Sequence, residues 1–244
     1  MPKAKITWLG HASVEVETGE HIIFFDPWIE ENPKCSLKLS DIKKASAVCV
    51  THGHNDHIGD SFKIVKQTGA KLICSPEIAF YADRKGLKYD EATYPLNIGG
   101  SWKRGAFSIT MVSAEHTSDI MGEEFEKDGT IIPGSGCCGY ILDIADGPVI
   151  YYSGDTGVFG DMAIIRDLYR PEVAILTIGG KYNMGIREGA YAAALILPEY
   201  LIAVHHGTFE DQMLDLDQLA SEMKVRAPRV QLVRIRPGES YVYP

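Results

Sequence analysis

Three short runs near the start of the chain, Lys5–Leu9, Ser13–Glu17 and Ile22–Phe25, are separated by glycine or polar turns; the second alternates apolar with polar side chains, the first does so up to Trp8, and the third is wholly apolar. A period of two puts every second side chain on the same face of an extended segment, so the pattern predicts a meander of strands. A strand–loop–helix pattern then takes over. Strands are predicted at Ala47–Val50, Lys71–Cys74, Ser108–Val112, Tyr140–Ile144, Val149–Tyr152, Val173–Ile178, Leu201–Val204 and Val230–Ile235. Helices are predicted near Asp60–Gln67, from Pro76 to about Lys85 with proline in the first turn, and over Met162–Tyr169, Ile186–Leu197 and Leu216–Lys224. Meander and βα units together imply two sheets with helices on their outer faces.

Composition narrows the class. A chain of 244 residues with no visible linker is expected to form a single domain over residues 1–244. Hydrophobic residues at 45% and charged residues at 23% suit a globular protein that builds its core without disulfides. No apolar stretch approaches the ~20 residues that span a bilayer. The amino terminus, Met1 to Lys5, leads into a strand with no apolar signal core, so a cytoplasmic location without membrane association is the default expectation. The five cysteines lack Cys-x-x-Cys spacing; Cys49 and Cys74 read as small buried hydrophobes. Vicinal Cys137-Cys138 is the one pair with redox or metal-binding potential, and reduced thiols are expected. The net charge of -9, with no cluster of Lys and Arg, argues against a dedicated nucleic-acid groove. It does not close off a nuclease, because bound cations supply local positive charge. A homo-oligomer stays open.

The residues that carry chemistry follow apolar strands. Thr51-His52-Gly53-His54-Asn55-Asp56-His57 comes after Val50, His116 after Val112, Asp155 after Tyr152, and His205-His206 after Val204. Loops at strand ends, held by a rigid scaffold, are where sites are usually built. Imidazole and carboxylate are ligands for zinc and similar cations. In an extended segment His52 and His54 project to one side; a turn into helix then aims Asp56 and His57 at a second point. One loop can thus serve two metals. Asp155, between Gly154 and Thr156, is a carboxylate on a tight corner, able either to bridge two cations or to cap a turn. Of the last pair, the strand-end position favours His205.

This succession resembles the metallo-β-lactamase superfamily, marked by His-x-His-x-Asp-His followed by separate His, Asp and His ligands. The resemblance implies an α/β (α+β) fold, a four-layer αββα sandwich with two central mixed sheets and a dinuclear site at one edge. It implies that His52, His54 and His116 hold one metal, that Asp56, His57 and His205 hold the other, and that Asp155 bridges them. Trp8-Leu9-Gly10-His11-Ala12-Ser13, Phe25-Asp26-Pro27-Trp28, Ile178-Gly179-Gly180, Asn183-Met184-Gly185 and His205-x-Gly-Thr-Phe209 resemble the branch containing ascorbate-6-phosphate lactonase and many uncharacterised metal-dependent hydrolases. The chain departs from that branch at Gly180, often acidic there, and at His206, often aromatic there, which bears on specificity rather than metal binding.

Two divalent ions, zinc first and manganese second, are therefore expected to activate a hydroxide against an ester, lactone or phosphodiester in a small anionic metabolite. Asp56, His54 and Asp155 are the expected catalytic residues, with Asp56 relaying the proton. Asp26 is expected to brace the ligand loop; His11 either points into the site or packs under it. Lys181, Asn183 and His206 are candidates for contacts with substrate. The acidic run 118–136 reads as a solvated excursion or a flap over the cleft. The competing readings are a metal-dependent ribonuclease or phosphodiesterase acting on nucleic acid and, behind it, a di-iron redox protein or a non-catalytic binding protein.

Overall fold

The computed structural model describes residues 3–244; Met1 and Pro2, where the amino-terminal reading above begins, lie outside the described residues. The first half contains β1 (Ala4–Gly10), β2 (Ser13–Thr18), β3 (His21–Phe25), β4 (Ala47–Cys49), α1 (Asn55–Ile58), α2 (Ser61–Thr68), β5 (Lys71–Cys74), α3 (Pro76–Arg84) and β6 (Thr93–Pro95). The second contains β7 (Ser101–Arg104), β8 (Phe107–Ser113), α4 (Glu123–Asp128), β9 (Cys138–Ile144), β10 (Val149–Tyr152), α5 (Met162–Tyr169), β11 (Val173–Thr177), α6 (Ile186–Ile196), β12 (Tyr200–Val204), α7 (Leu216–Arg226), β13 (Gln231–Val233) and β14 (Ser240–Tyr243).

Two seven-stranded mixed sheets result, ordered β14-β1-β2-β3-β4-β5-β6 and β13-β12-β11-β10-β9-β8-β7. Each is antiparallel through its meander and parallel from β3 to β6 or from β10 to β13. The two-residue period decides which side chain enters which layer. Ile6, Trp8, Val14, Val16, Ile23 and Phe25 of one sheet meet Ile109, Met111, Tyr140, Leu142, Tyr152 and Ile175 of the other. Their alternates point outward. Phe24, Val48 and Leu72 pack under α2 and α3, while Ile141, Tyr151, Ala174 and Leu201 pack under α5, α6 and α7. This is the four-layer αββα arrangement that the resemblance implied.

Polar elements are where the pattern fell silent. Strand β7 is exposed at three of its four positions, and β14 alternates exposed with half-buried ones, so neither carries an apolar signature. Helices α1 and α4, of four and six residues, are too short for a helical period to show. All five cysteines are free, and Cys49, Cys74, Cys137 and Cys138 are buried. Among the described residues no helix is long and apolar enough to cross a membrane.

Candidate metal centre

The parallel strands β4, β10, β11 and β12 end on one rim, and the candidate residues leave the sheets there. Beyond β4 the chain bends at His52 and Gly53, passes through His54, whose backbone is extended, and winds into the single turn α1, in which the His57 N–H donates to the His54 carbonyl at 3.1 Å. Bend followed by helix is the change of direction that separates the two halves of the loop. Gly154, with φ +60°, brings Asp155 alongside: a Cβ there would lie 2.4 Å from the Cys138 carbonyl oxygen and 2.8 Å from the Thr51 methyl.

Among the described residues the donors gather into three groups, the first two sharing His52: His52, His54 and His116; His52, His57 and Asp155; His11, Asp56 and His205. Within each group the candidate ligand atoms lie within 4.8 Å of one another. Nε2 of His52 lies 2.9 Å from Nδ1 of His54. Nε2 of His57 is 3.7 Å from Asp56 Oδ2 and 3.6 Å from Asp155 Oδ2. Nε2 of His205 is 3.7 and 3.1 Å from the same two oxygens. Ligands about 2.0–2.2 Å from a tetrahedral zinc stand about 3.3–3.6 Å apart, close to this spacing. Asp155 Oδ2 also lies 3.8 Å from His116 Nε2, so one oxygen faces histidines of both halves. Its partner Oδ1 accepts from the Asn183 amide at 3.2 Å, while the Asn183 carbonyl takes the Gly179 N–H at 2.5 Å. Asn183 thereby decides which carboxylate oxygen turns inward.

Asp26 sets the ring nitrogens. It is fully buried; Oδ1 accepts the Thr51 N–H at 2.8 Å, and Oδ2 accepts His57 Nδ1–H at 2.8 Å and the hydroxyls of Thr51 and Tyr152 at 2.7 and 2.9 Å. Because the Thr51 hydroxyl donates to Asp26, its oxygen is left to accept from His52 Nδ1, 2.9 Å away. His52 and His57 are thus held as Nδ1–H tautomers, the usual arrangement behind a metal-binding imidazole; His57 Nε2 is open, while His52 Nε2 faces His54 Nδ1.

The donor set fits divalent cations. The Nε2 atoms of His57 and His205 are buried without a hydrogen bond, although carboxylate oxygens stand beside them. Buried polar atoms are normally paired, so these open lone pairs point to an absent partner. The electrostatics agree. Burial opposes charge on His57, yet Asp155, Asp56 and Asp26 hold its imidazolium well above the ordinary 6.5. Burial likewise opposes charge on His205, and Asp155 and Asp56 still push it up to about 9. Against the same burial, the histidines keep Asp155 and Asp56 well below the usual carboxylate range. The carboxylates demand positive charge in a confined space, where protons and cations compete for the same lone pairs. His52, His54 and His116 are driven down, burial being the largest cause, and stay in the neutral form that binds metal.

The seven residues of the ligand pattern therefore converge, joined by Asp26, His11 and Asn183. Lys181 and His206 do not join them. The exposed Lys181 ammonium pairs with Asp211 and lies over the Tyr182 ring. His206 turns back, with Nε2 3.2 Å from the Ala203 carbonyl and its ring against Trp8, and burial pushes it down to about 4. Thr51, Tyr152 and Thr208 are participants that sequence reasoning missed, since only the fold brings their hydroxyls to Asp26 and His11.

The run 118–136 is a docked excursion. Ile120 is buried and bridges to Ile132, Glu124 accepts from Tyr81 and Lys85 at 3.0 Å each, and the Gly53 N–H donates to the Ser118 hydroxyl at 3.2 Å. A cavity of about 720 Å³ beneath it meets the histidine loop at Asn55, although none of the seven donors lines it.

Residues 21–206 match the beta-lactamase superfamily domain. The chain is 42% identical to a UPF0173 metal-dependent hydrolase of Methanopyrus kandleri, covering 97% of this chain and 99% of that one. It is 38% identical to another from Archaeoglobus fulgidus, covering 98% and 99%. Among solved structures, the metallo hydrolase Igni18 of Ignicoccus hospitalis is similar at a TM-score of 0.84 and 32% identity, with 99% of this chain and 98% of that one covered.

Proposed function

Because the chain belongs to the beta-lactamase superfamily, among its UPF0173 metal-dependent hydrolases, we propose that it cleaves an ester, lactone or phosphodiester in a small anionic metabolite. In this reading His52, His54 and His116 hold one divalent cation, and Asp56, His57 and His205 hold a second. Asp155 Oδ2, which faces His116 as well as His57 and His205, would serve both, and zinc is the first expectation ahead of manganese. When bound, such a pair makes a water acidic enough to attack at neutral pH and polarises the oxygen of the scissile group. The single observation that carries the reading is the set of buried, unpartnered nitrogens on His57 and His205 beside two carboxylates.

The chain's own residues supply the rest. Asp56 is the half-buried acid of the group, and its contacts among the described residues fall on Oδ2. Oδ1 is then the oxygen that takes a proton from the attacking water and returns it to the leaving group. Two divalent ions would carry more positive charge than the carboxylates Asp56 and Asp155 neutralise, which would draw an anionic group despite the acidic chain. The acidic run 118–136 starts at the rim, with the Thr117 hydroxyl 3.5 Å from His54 Nε2, and disfavours a long polyanion such as RNA.

The test is a screen of lactones, phosphodiesters and short RNAs under defined zinc or manganese loading, together with Asp155→Ala and His54→Ala. Both variants should lose stoichiometric metal and turnover, and full activity in a metal-free variant would overturn the reading.

A further inference from the structure

His11 belongs to the cluster yet stands outside the ligand pattern. Its ring is fully buried, and its backbone sits at φ +52°, a region that a residue with a Cβ rarely adopts. Two bonds hold that turn from either side: the His11 carbonyl accepts Trp8 Nε1–H at 2.7 Å and the His205 N–H at 2.8 Å. The ring reaches the other way. Nδ1 is 3.0 Å from the Thr208 hydroxyl, Nε2 is 3.0 Å from Asp56 Oδ2, and the ring centroid lies 3.8 Å from that of His205. One residue thus touches Asp56 through its side chain and His205 through its backbone and ring face.

We propose that His11 is a positioning residue for the second cation, a hydrogen-bond donor that fixes Asp56 Oδ2 and anchors His205 without being a ligand itself. This rests on the two-cation reading above. Orientation separates donor from ligand. His11 Nε2 makes a hydrogen bond to Asp56 Oδ2, whereas His57 Nε2 stays 3.6 Å or more from the carboxylate oxygens and His205 Nε2 approaches Asp155 Oδ2 at 3.1 Å without hydrogen-bond alignment. An imidazole nitrogen has one in-plane lobe, and at His11 it is committed to Asp56. An ionised carboxylate only accepts, so Nε2 carries the proton and Nδ1 accepts from Thr208. The resulting chain, Thr208 to His11 to Asp56, makes the two oxygens of Asp56 unlike: Oδ2 stays beside His57 and His205, and Oδ1 is left for the proton.

The experiment compares His11→Leu, His11→Gln and Thr208→Val with wild type. It reads zinc stoichiometry by elemental analysis, both dissociation constants by chelator competition, the cobalt(II) absorption spectrum, and folding by circular dichroism. His11→Leu should bind the second cation about 10–100-fold more weakly while the first is kept. His11→Gln, whose amide N–H can reach Asp56, should recover most of that loss with an unchanged cobalt spectrum. Thr208→Val should weaken the second cation in the same direction by a smaller factor. Wild-type affinity in folded His11→Leu overturns the proposal, as does a His11→Gln variant that binds no better than His11→Leu and alters the cobalt spectrum, the mark of a lost ligand. If His11→Leu fails to fold, Thr208→Val decides, and unchanged second-cation affinity there overturns the proposal. Uptake of a single cation by wild type overturns the two-cation reading and this proposal with it.

Discussion

Replacing Asp26 by asparagine separates the carboxylate's bracing role from simple packing, because the shape is kept while an acceptor becomes a donor. Asp26 offers two oxygens to four donors: the Thr51 N–H on Oδ1, and His57 Nδ1–H with the Thr51 and Tyr152 hydroxyls on Oδ2. Asparagine has one oxygen. Its better placement puts the amide nitrogen against the Thr51 N–H, where two buried donors face each other. Leaving a buried donor unsatisfied costs about 1–3 kcal/mol. The other three bonds change from a charged to a neutral acceptor, a loss of about 1 kcal/mol each, partly offset because a carboxylate no longer has to be desolvated. The net cost is about 2–4 kcal/mol, which for a chain of this size lowers Tm by roughly 4–16 °C. The weaker acceptor behind His57 also lowers its basicity toward a cation, worth about 10–100-fold in affinity. Thermal melts of the metal-free variant read the first effect, and chelator competition reads the second. Unchanged affinity, even with the expected loss of Tm, would refute the claim that Asp26 sets the histidine tautomers.

Zinc uptake should depend on pH through His205. Its folded value is raised from 6.5 to about 9, so in the metal-free chain its stabilising contribution is full below 6.5 and lost as pH rises through about 9. A cation must displace that proton, and apparent affinity should climb up to tenfold per pH unit toward about 9; a flat profile in chelator competition counts against the pairing. Gly53→Ala tests the docking of the run 118–136. The new Cβ would lie 2.4 Å from the Ser118 carbonyl oxygen and 2.7 Å from Ile120 Cγ1, so an overpacking cost of about 1–3 kcal/mol and faster limited proteolysis within 118–136 are expected. Proteolysis at the wild-type rate would show that the contact is not needed.

How far the sequence could be read depends on whether a feature carries a local period. The strand and helix order was legible because β1 to β5 and β8 to β12 carry apolar positions in register with the sheet. Strands β7 and β14 were not, because exposed edges impose no such pattern. Within the site, His52 to His57 announce themselves by proximity in the chain, and each remaining donor follows a strand. The bracing residues do not. Thr51, Tyr152 and Thr208 are ordinary hydroxyl residues until Tyr152 on β10 is brought within 2.9 Å of Asp26 behind β3. His11 and His206 show the opposite limit. Both lie beside aromatic rings, His11 buried and His206 half-buried, and only the fold shows that one faces Asp56 while the other faces the carbonyl of Ala203.

Three features of the centre are unfavourable for the bare chain, and they coincide. His11, Asp26 and His205 all sit at positive φ, at about 1–3 kcal/mol each. Asp155 and the half-buried Asp56 are held ionised beside histidines that burial would otherwise discharge. Lone pairs on His57 and His205 lack partners while acceptors lie within 3.7 Å. A cluster serving stability alone would relax each of these: a small rotation would align His205 Nε2 with Asp155, and less constrained turns would replace the left-handed ones. None is relaxed, because bonds from Trp8, Thr51, Tyr152 and Asn183 hold the geometry against that drift. What the chain stabilises is therefore a set of converging, unsatisfied donors, and cations that bind there find their ligands already ordered, with little left to lose in entropy.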